Sequence, residues 1–160
     1  MKIRLFIKPY CGWCDKAMRW LDDHDIAYEK LDVIADDAAF AEMVMYKAAL
    51  TSAAEVPATD SKGSGALTAT YDTASKKLTY TVTYKDLSGP AAAAHFHGPA
   101  DAKTNAGVVV PVKDMTASPL KGEATLTDAQ AADLQAGKWY FNVHTAANKG
   151  GEIRGQVMKK

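Results

Sequence analysis

From Leu78 to Lys85 the chain alternates without a break: Leu78, Tyr80, Val82 and Tyr84 are separated by Thr79, Thr81, Thr83 and Lys85. A period of two sends successive side chains to opposite faces, so this run reads as a strand with one buried face. Similar short strands are expected at 46–51, 66–71, 91–97, 108–112, 122–126, 139–144 and 152–158. Turn residues such as Ser88-Gly89-Pro90, Gly98-Pro99 and Lys149-Gly150-Gly151 punctuate them. Short strands at regular spacing predict an antiparallel β-sandwich or barrel. One helix interrupts the series: Thr127 and Gln130 have capping-box spacing, Ala131, Ala132 and Leu134 follow, and Gly137 ends it.

The chain upstream of about residue 44 has a different character. Residues 3–7 form a short apolar strand that Pro9 and Gly12 interrupt. From Trp13 the pattern is helical, with Ala17, Met18, Trp20 and Leu21 opposite Lys16, Arg19, Asp22 and Asp23. Residues 26–33 read as a second strand, and Asp36-Asp37 open a second helix through Ala38, Ala39, Phe40 and Met43. The expected organisation is therefore a partial β-α-β-α segment over residues 1–44 and a mainly β domain over residues 45–160. So small a segment has little core of its own. Its open sheet edge is an expected site for a protein partner or for homodimer formation.

The 19 basic and 19 acidic residues cancel, and the basic ones are scattered. This predicts no nucleic-acid partner and no anionic membrane partner, since both need clustered positive charge. No apolar run approaches the roughly 18 residues of a spanning helix. The basic, apolar N-terminus is cut short by Lys8, Pro9 and a cysteine pair, so it lacks the features of a signal peptide, and a cytoplasmic location is expected.

Both cysteines lie in Cys11-Gly12-Trp13-Cys14, at the start of the first expected helix. Partial positive charge and free N–H groups at that end favour a thiolate. Cys11 is accordingly the candidate nucleophile and Cys14, one turn on, the resolving thiol. Zinc is a poorer use of the pair, because two sulfurs need two further ligands. The stretch Phe6-Ile7-Lys8-Pro9-Tyr10-Cys11-Gly12-Trp13-Cys14 resembles the active-site segment of glutaredoxins, and the resemblance extends through Asp32-Val33 to about Met43. It implies a partial thioredoxin-like fold, a glutathione-linked thiol-disulfide oxidoreductase, and Lys8 as a contact for a glutathione carboxylate. Gly12-Trp13 departs from the commoner Pro-Tyr pair, and the later parts of that fold are not evident after residue 44.

His95 and His97 are two apart on an expected strand and so share a face, and His144 ends another strand. Three imidazoles brought together would suit copper or zinc, with a position left for water or substrate. They would equally serve as structural donors, His144 for example pinning a turn through a loop carbonyl. Glu152 and Arg154 share a strand face and read as an ion pair fixing the last strand, whereas His24, on a charged helix end, reads as solvated.

The segments Ala94-His95-Phe96-His97-Gly98-Pro99-Ala100, Asn105-Ala106-Gly107-Val108-Val109-Val110, Leu126-Thr127-Asp128, Asn142-Val143-His144-Thr145 and Gly151-Glu152-Ile153-Arg154-Gly155-Gln156 together resemble the CHRD domain, named from chordin, over about residues 46–158. The resemblance implies an immunoglobulin-like or barrel-like all-β domain of a usually exported kind, and does not bring chordin's growth-factor binding with it. Three functions follow as expectations: a binding or structural β module with a histidine metal site, a glutathione-linked oxidoreductase using Cys11 and Cys14, or two unrelated pieces joined without a single function.

Overall fold

The alternation at Leu78–Lys85 becomes strand β5 (Lys77–Lys85), the second strand of a hairpin with β4 (Ser64–Asp72). In the computed structural model, which describes residues 3–8, 10–33, 43–113 and 118–160, the chain divides into two compact units, Met1–Val44 and Met45–Lys160.

In the larger unit, β3 (Met43–Thr51), β4, β5, β6 (Ala91–His97), β7 (Val108–Pro111), β8 (Leu120–Thr125), β9 (Trp139–Thr145) and β10 (Ile153–Lys159) form one sheet. Their spatial order is β7-β6-β9-β10-β3-β4-β5-β8, an antiparallel and nearly closed barrel whose two edges are β7 and β8. A short 3-10 turn, Ser52–Ala54, follows β3, and helix α2 (Asp128–Gln135) joins β8 to β9. The expected capping box is present, with Thr127 accepting from the Gln130 backbone and Gln130 accepting from that of Thr127.

The inner face is apolar. Leu50, Leu67, Leu78, Val82, Phe96, Trp139, Phe141, Val143, Ile153 and Val157 are all buried. Phe96 sits at the middle, edge-on to Tyr80 at 5.0 Å and to Phe141 at 4.8 Å. Truncating a buried aromatic of this kind to Ala costs about 3–5 kcal/mol. Gly155 is required where β10 passes β3, because a Cβ there would run into the Ala49 carbonyl.

The outer face of β6, β9 and β10 is polar yet covered. Cross-strand register sets His95 opposite Asn142, His97 opposite Tyr140, Arg154 opposite Asn142 and Gln156 opposite Tyr140. Asn142, Tyr140 and Arg154 are buried all the same, so their polar atoms need partners within the protein.

Glu152 and Arg154 do not form the expected ion pair, because each is committed to a different loop. Glu152 immediately precedes β10 and accepts from Ser61 Oγ, Ser88 N, Ser88 Oγ, Thr145 Oγ1 and Asn148 Nδ2. Arg154 donates to Asn105 Oδ1 at 2.8 Å and to the carbonyls of Thr104 at 2.6 Å and Asp101 at 3.4 Å, with its guanidinium 3.3 Å from the centre of the Tyr140 ring.

In the smaller unit, β1 (Ile3–Ile7) and β2 (Tyr28–Asp32) pair in parallel, with α1 (Gly12–Asp23) between them in sequence. This is the β-α-β part of a thioredoxin-like arrangement. Strand β2 starts two residues later than expected, because the Ile26 N–H still closes the helix end on the Leu21 carbonyl. Among the described residues of this unit that precede β3, Ile7 alone is buried, and Trp20 of the expected apolar stripe is exposed. The second expected helix falls mainly on residues 34–42, outside the described residues, while Met43, placed in that helix by the sequence, begins β3 instead.

Burial is the strongest influence on the Glu152 carboxyl and opposes its ionisation. The donations from Ser61, Ser88 and Thr145 together outweigh it and hold the pKa at about 2, below the ordinary 4.5. A depressed carboxylate contributes stability that is present above the unfolded value and is lost as pH falls through the folded one. Glu152→Gln is therefore expected to cost about 3 kcal/mol near pH 6, with the difference from the parent shrinking as pH falls toward 2. Denaturant titrations at several pH values check this, and a difference independent of pH would contradict it.

Candidate metal centre

The three histidines of the larger unit meet on the outer face of β6 and β9. One nitrogen from each of His95, His97 and His144 lies within 4.8 Å of the others. Strand period puts His95 and His97 side by side. The β6–β9 register, with Ala93 opposite His144 and His95 opposite Asn142, makes His144 the diagonal neighbour of His95.

Two backbone carbonyls fix the tautomers. His97 Nδ1 lies 2.9 Å from the Ala106 carbonyl and His144 Nδ1 lies 3.0 Å from the Lys149 carbonyl. A carbonyl can only accept, so both Nδ1 atoms carry hydrogen, and in the neutral rings both Nε2 atoms present a lone pair. His95 Nδ1 is 3.1 Å from His144 Nε2, and with that nitrogen a lone pair, His95 is the donor. Nitrogens at such a separation lie close to the edge of a tetrahedral zinc site, about 3.3 Å for bonds near 2.05 Å. A metal ion could bridge these two nitrogens once the His95 Nδ1 proton has moved to Nε2 or to solvent, and the nitrogens of the whole cluster lie within 4.8 Å of one another.

His97 Nε2 is buried and has no hydrogen-bond partner. An unsatisfied buried acceptor costs about 1–3 kcal/mol, and a bound cation would satisfy it. Burial is the main cause that lowers the pKa of His97, against the bond to Ala106 and the nearby Asn142 side chain. Burial also lowers that of His95, with smaller contributions from His144 and His97. Both rings are thereby kept in the neutral, ligating form. His97 lies flat against Tyr140, 4.8 Å between centroids and 2° between planes, and Arg154 backs the other face of that ring. The three imidazoles form a cluster that could coordinate a metal ion.

A model of the CHRD domain matches residues 46–157, more than two thirds of the chain. The chain belongs to the CHRD domain family. A model of glutaredoxin matches residues 3–57, overlapping the CHRD domain through β3 and the turn after it, and running past the Met43 limit read from the sequence. No curated protein and no solved structure matches the chain.

The loops that orient the ligands were not evident from the histidine pattern. The 101–106 loop, tied down by Arg154, presents the Ala106 carbonyl to His97, and Tyr140 Oη accepts from the Ala106 N–H. The 145–151 turn, tied down by Glu152, presents the Lys149 carbonyl to His144. Gly151 permits that turn with φ at +131°, where a Cβ would also strike Glu55 and Asn142. The Asn105-Ala106-Gly107 and Gly151–Gln156 segments carried this signal as family motifs, without the contacts they make.

In the smaller unit Cys11 is the N-cap of α1, its sulfur accepting from the Cys14 backbone N–H at 3.4 Å. Both thiols are free. Interaction with Cys14, first through its side chain and then its backbone, lowers the Cys11 pKa, and Lys8 adds a smaller pull. The same thiol pair raises that of Cys14. Tyr10 and Trp13 beside the pair are exposed. His24 is exposed too, though not simply solvated: its Nδ1 bonds the Trp20 carbonyl at 2.7 Å and its ring stacks on Trp20. No described helix is long and apolar enough to cross a membrane. With Cys11 the more acidic thiol, limiting iodoacetamide near neutral pH is expected to modify Cys11 first, and preferential labelling of Cys14 in peptide mass spectra would contradict that order.

Proposed function

We propose that the CHRD domain of this chain is a metal-binding module whose ion, copper(II) or zinc(II), is held by His95, His97 and His144. The observation that carries this reading is the convergence of three imidazole nitrogens within 4.8 Å of one another, with the Nε2 of His97 buried and without a hydrogen-bond partner. Backbone acceptors on the Nδ1 atoms of His97 and His144 are the outer support that metal-ligating histidines ordinarily have, fixing the tautomer and raising basicity. Imidazole ligands suit both ions, and the usual affinity order of divalent metals puts copper ahead of zinc. With three protein ligands the site keeps an open position, the mark of a reactive or ligand-binding centre more than of a closed structural one. Calorimetric titration of the full chain is expected to show one equivalent of copper(II), bound more tightly than zinc. His97→Ala should lower the affinity at least tenfold, and His24→Ala, outside the cluster, should leave it unchanged. Equal binding by His97→Ala, or no binding by the parent, would overturn the proposal.

A second reading rests on the lowered Cys11 pKa and the glutaredoxin match. In it the Cys11 thiolate attacks the glutathione sulfur of a mixed disulfide and the substrate leaves as a thiolate; Cys14 then displaces glutathione, and two molecules of free glutathione reduce the resulting Cys11–Cys14 disulfide while becoming glutathione disulfide. Lys8 is the proposed contact for a glutathione carboxylate. Turnover of such a disulfide should vanish in Cys11→Ser, and equal rates in the two proteins would refute the reading.

A further inference from the structure

A divalent ion on His95, His97 and His144 would bring two positive charges to three neutral ligands. No carboxylate joins the histidines as a ligand among the described residues. The fixed charges behind the cluster are the Arg154 guanidinium, under the Tyr140 ring that stacks on His97, and the buried Glu55 carboxyl beside Arg154 and Asn142, and these are of opposite sign. With no charge among its ligands, a divalent ion there is stabilised by an anion that arrives from solvent.

The geometry leaves a way in. His97 is buried and forms the floor of the cluster, whereas His95 and His144 are half-buried and border solvent. Beside them on β6 stands Ala93, directly opposite His144, and a methyl group there adds little bulk. We propose that the metal-loaded cluster takes a small monodentate anion as its fourth ligand, on the solvent side between His95 and His144. This rests on the metal reading above and adds the class of molecule that the site binds. The step is a ligand exchange. A metal-bound water leaves, the anion donates an electron pair to the ion, and nothing is oxidised or reduced.

Metal and anion then bind cooperatively, and the coupling is reciprocal: whatever factor the metal gives the anion, the anion returns to the metal. The test uses the full chain loaded with one equivalent of copper(II) and titrated with sodium azide, followed by absorption and electron paramagnetic resonance. A saturable azide-to-copper charge-transfer band and a changed copper spectrum are expected, with copper affinity rising about tenfold at saturating azide. Metal-free protein with azide should show no band. Copper spectra that match a histidine site but do not respond to azide would overturn this proposal and leave the metal reading standing. Failure to bind copper at all would overturn both.

Discussion

The carboxylate of Glu152 is the contact on which the polar side of the barrel depends. A fully buried charge is tolerated only when donors surround it, and here the donors come from Ser61, Ser88, Thr145 and Asn148 in three separate stretches of chain. One side chain thereby ties the segment after the 3-10 turn, the turn before β6 and the turn after β9 to the start of β10. The last of these turns carries the Lys149 carbonyl that orients His144.

Arg154 does the same work for the other half of the site. It holds the 101–106 loop through Asn105 and two carbonyls, and that loop supplies the acceptor for His97. Two charged residues flanking Ile153 thus bind separate loops, and each loop sets one histidine tautomer. The arrangement is indirect: a histidine nitrogen is aimed by a backbone carbonyl, which is aimed by a buried charge in β10 or directly before it. This is why the cluster can stand on the outer face of a sheet and still be ordered.

The two units differ in how much they can support such an arrangement. The CHRD domain has a continuous apolar face around Phe96, with Trp139 and Phe141 in contact with it. In the smaller unit α1 has no buried residue, and its aromatic side chains Trp13 and Trp20 are exposed. Its chemistry is local: a cysteine at a helix N-cap needs only the first turn of that helix to shift its pKa.

Period-two runs such as Leu78–Tyr84 and the Thr127/Gln130 capping box are local patterns, and the sequence determined their strands and helix to within a few residues because each depends on neighbours along the chain. Pairing of His95 with His97 was legible for the same reason. The sequence could not show that His144 lies diagonally across from His95, since that depends on β6–β9 register. Nor could it show that Glu152 and Arg154, two residues apart on one strand face, turn to different loops instead of to each other. Spacing along a strand reports which face a side chain leaves from. Which distant donors and acceptors reach it there was decided by the sheet order and the loops folded over it, and that tertiary choice brought three scattered histidines together as a candidate site.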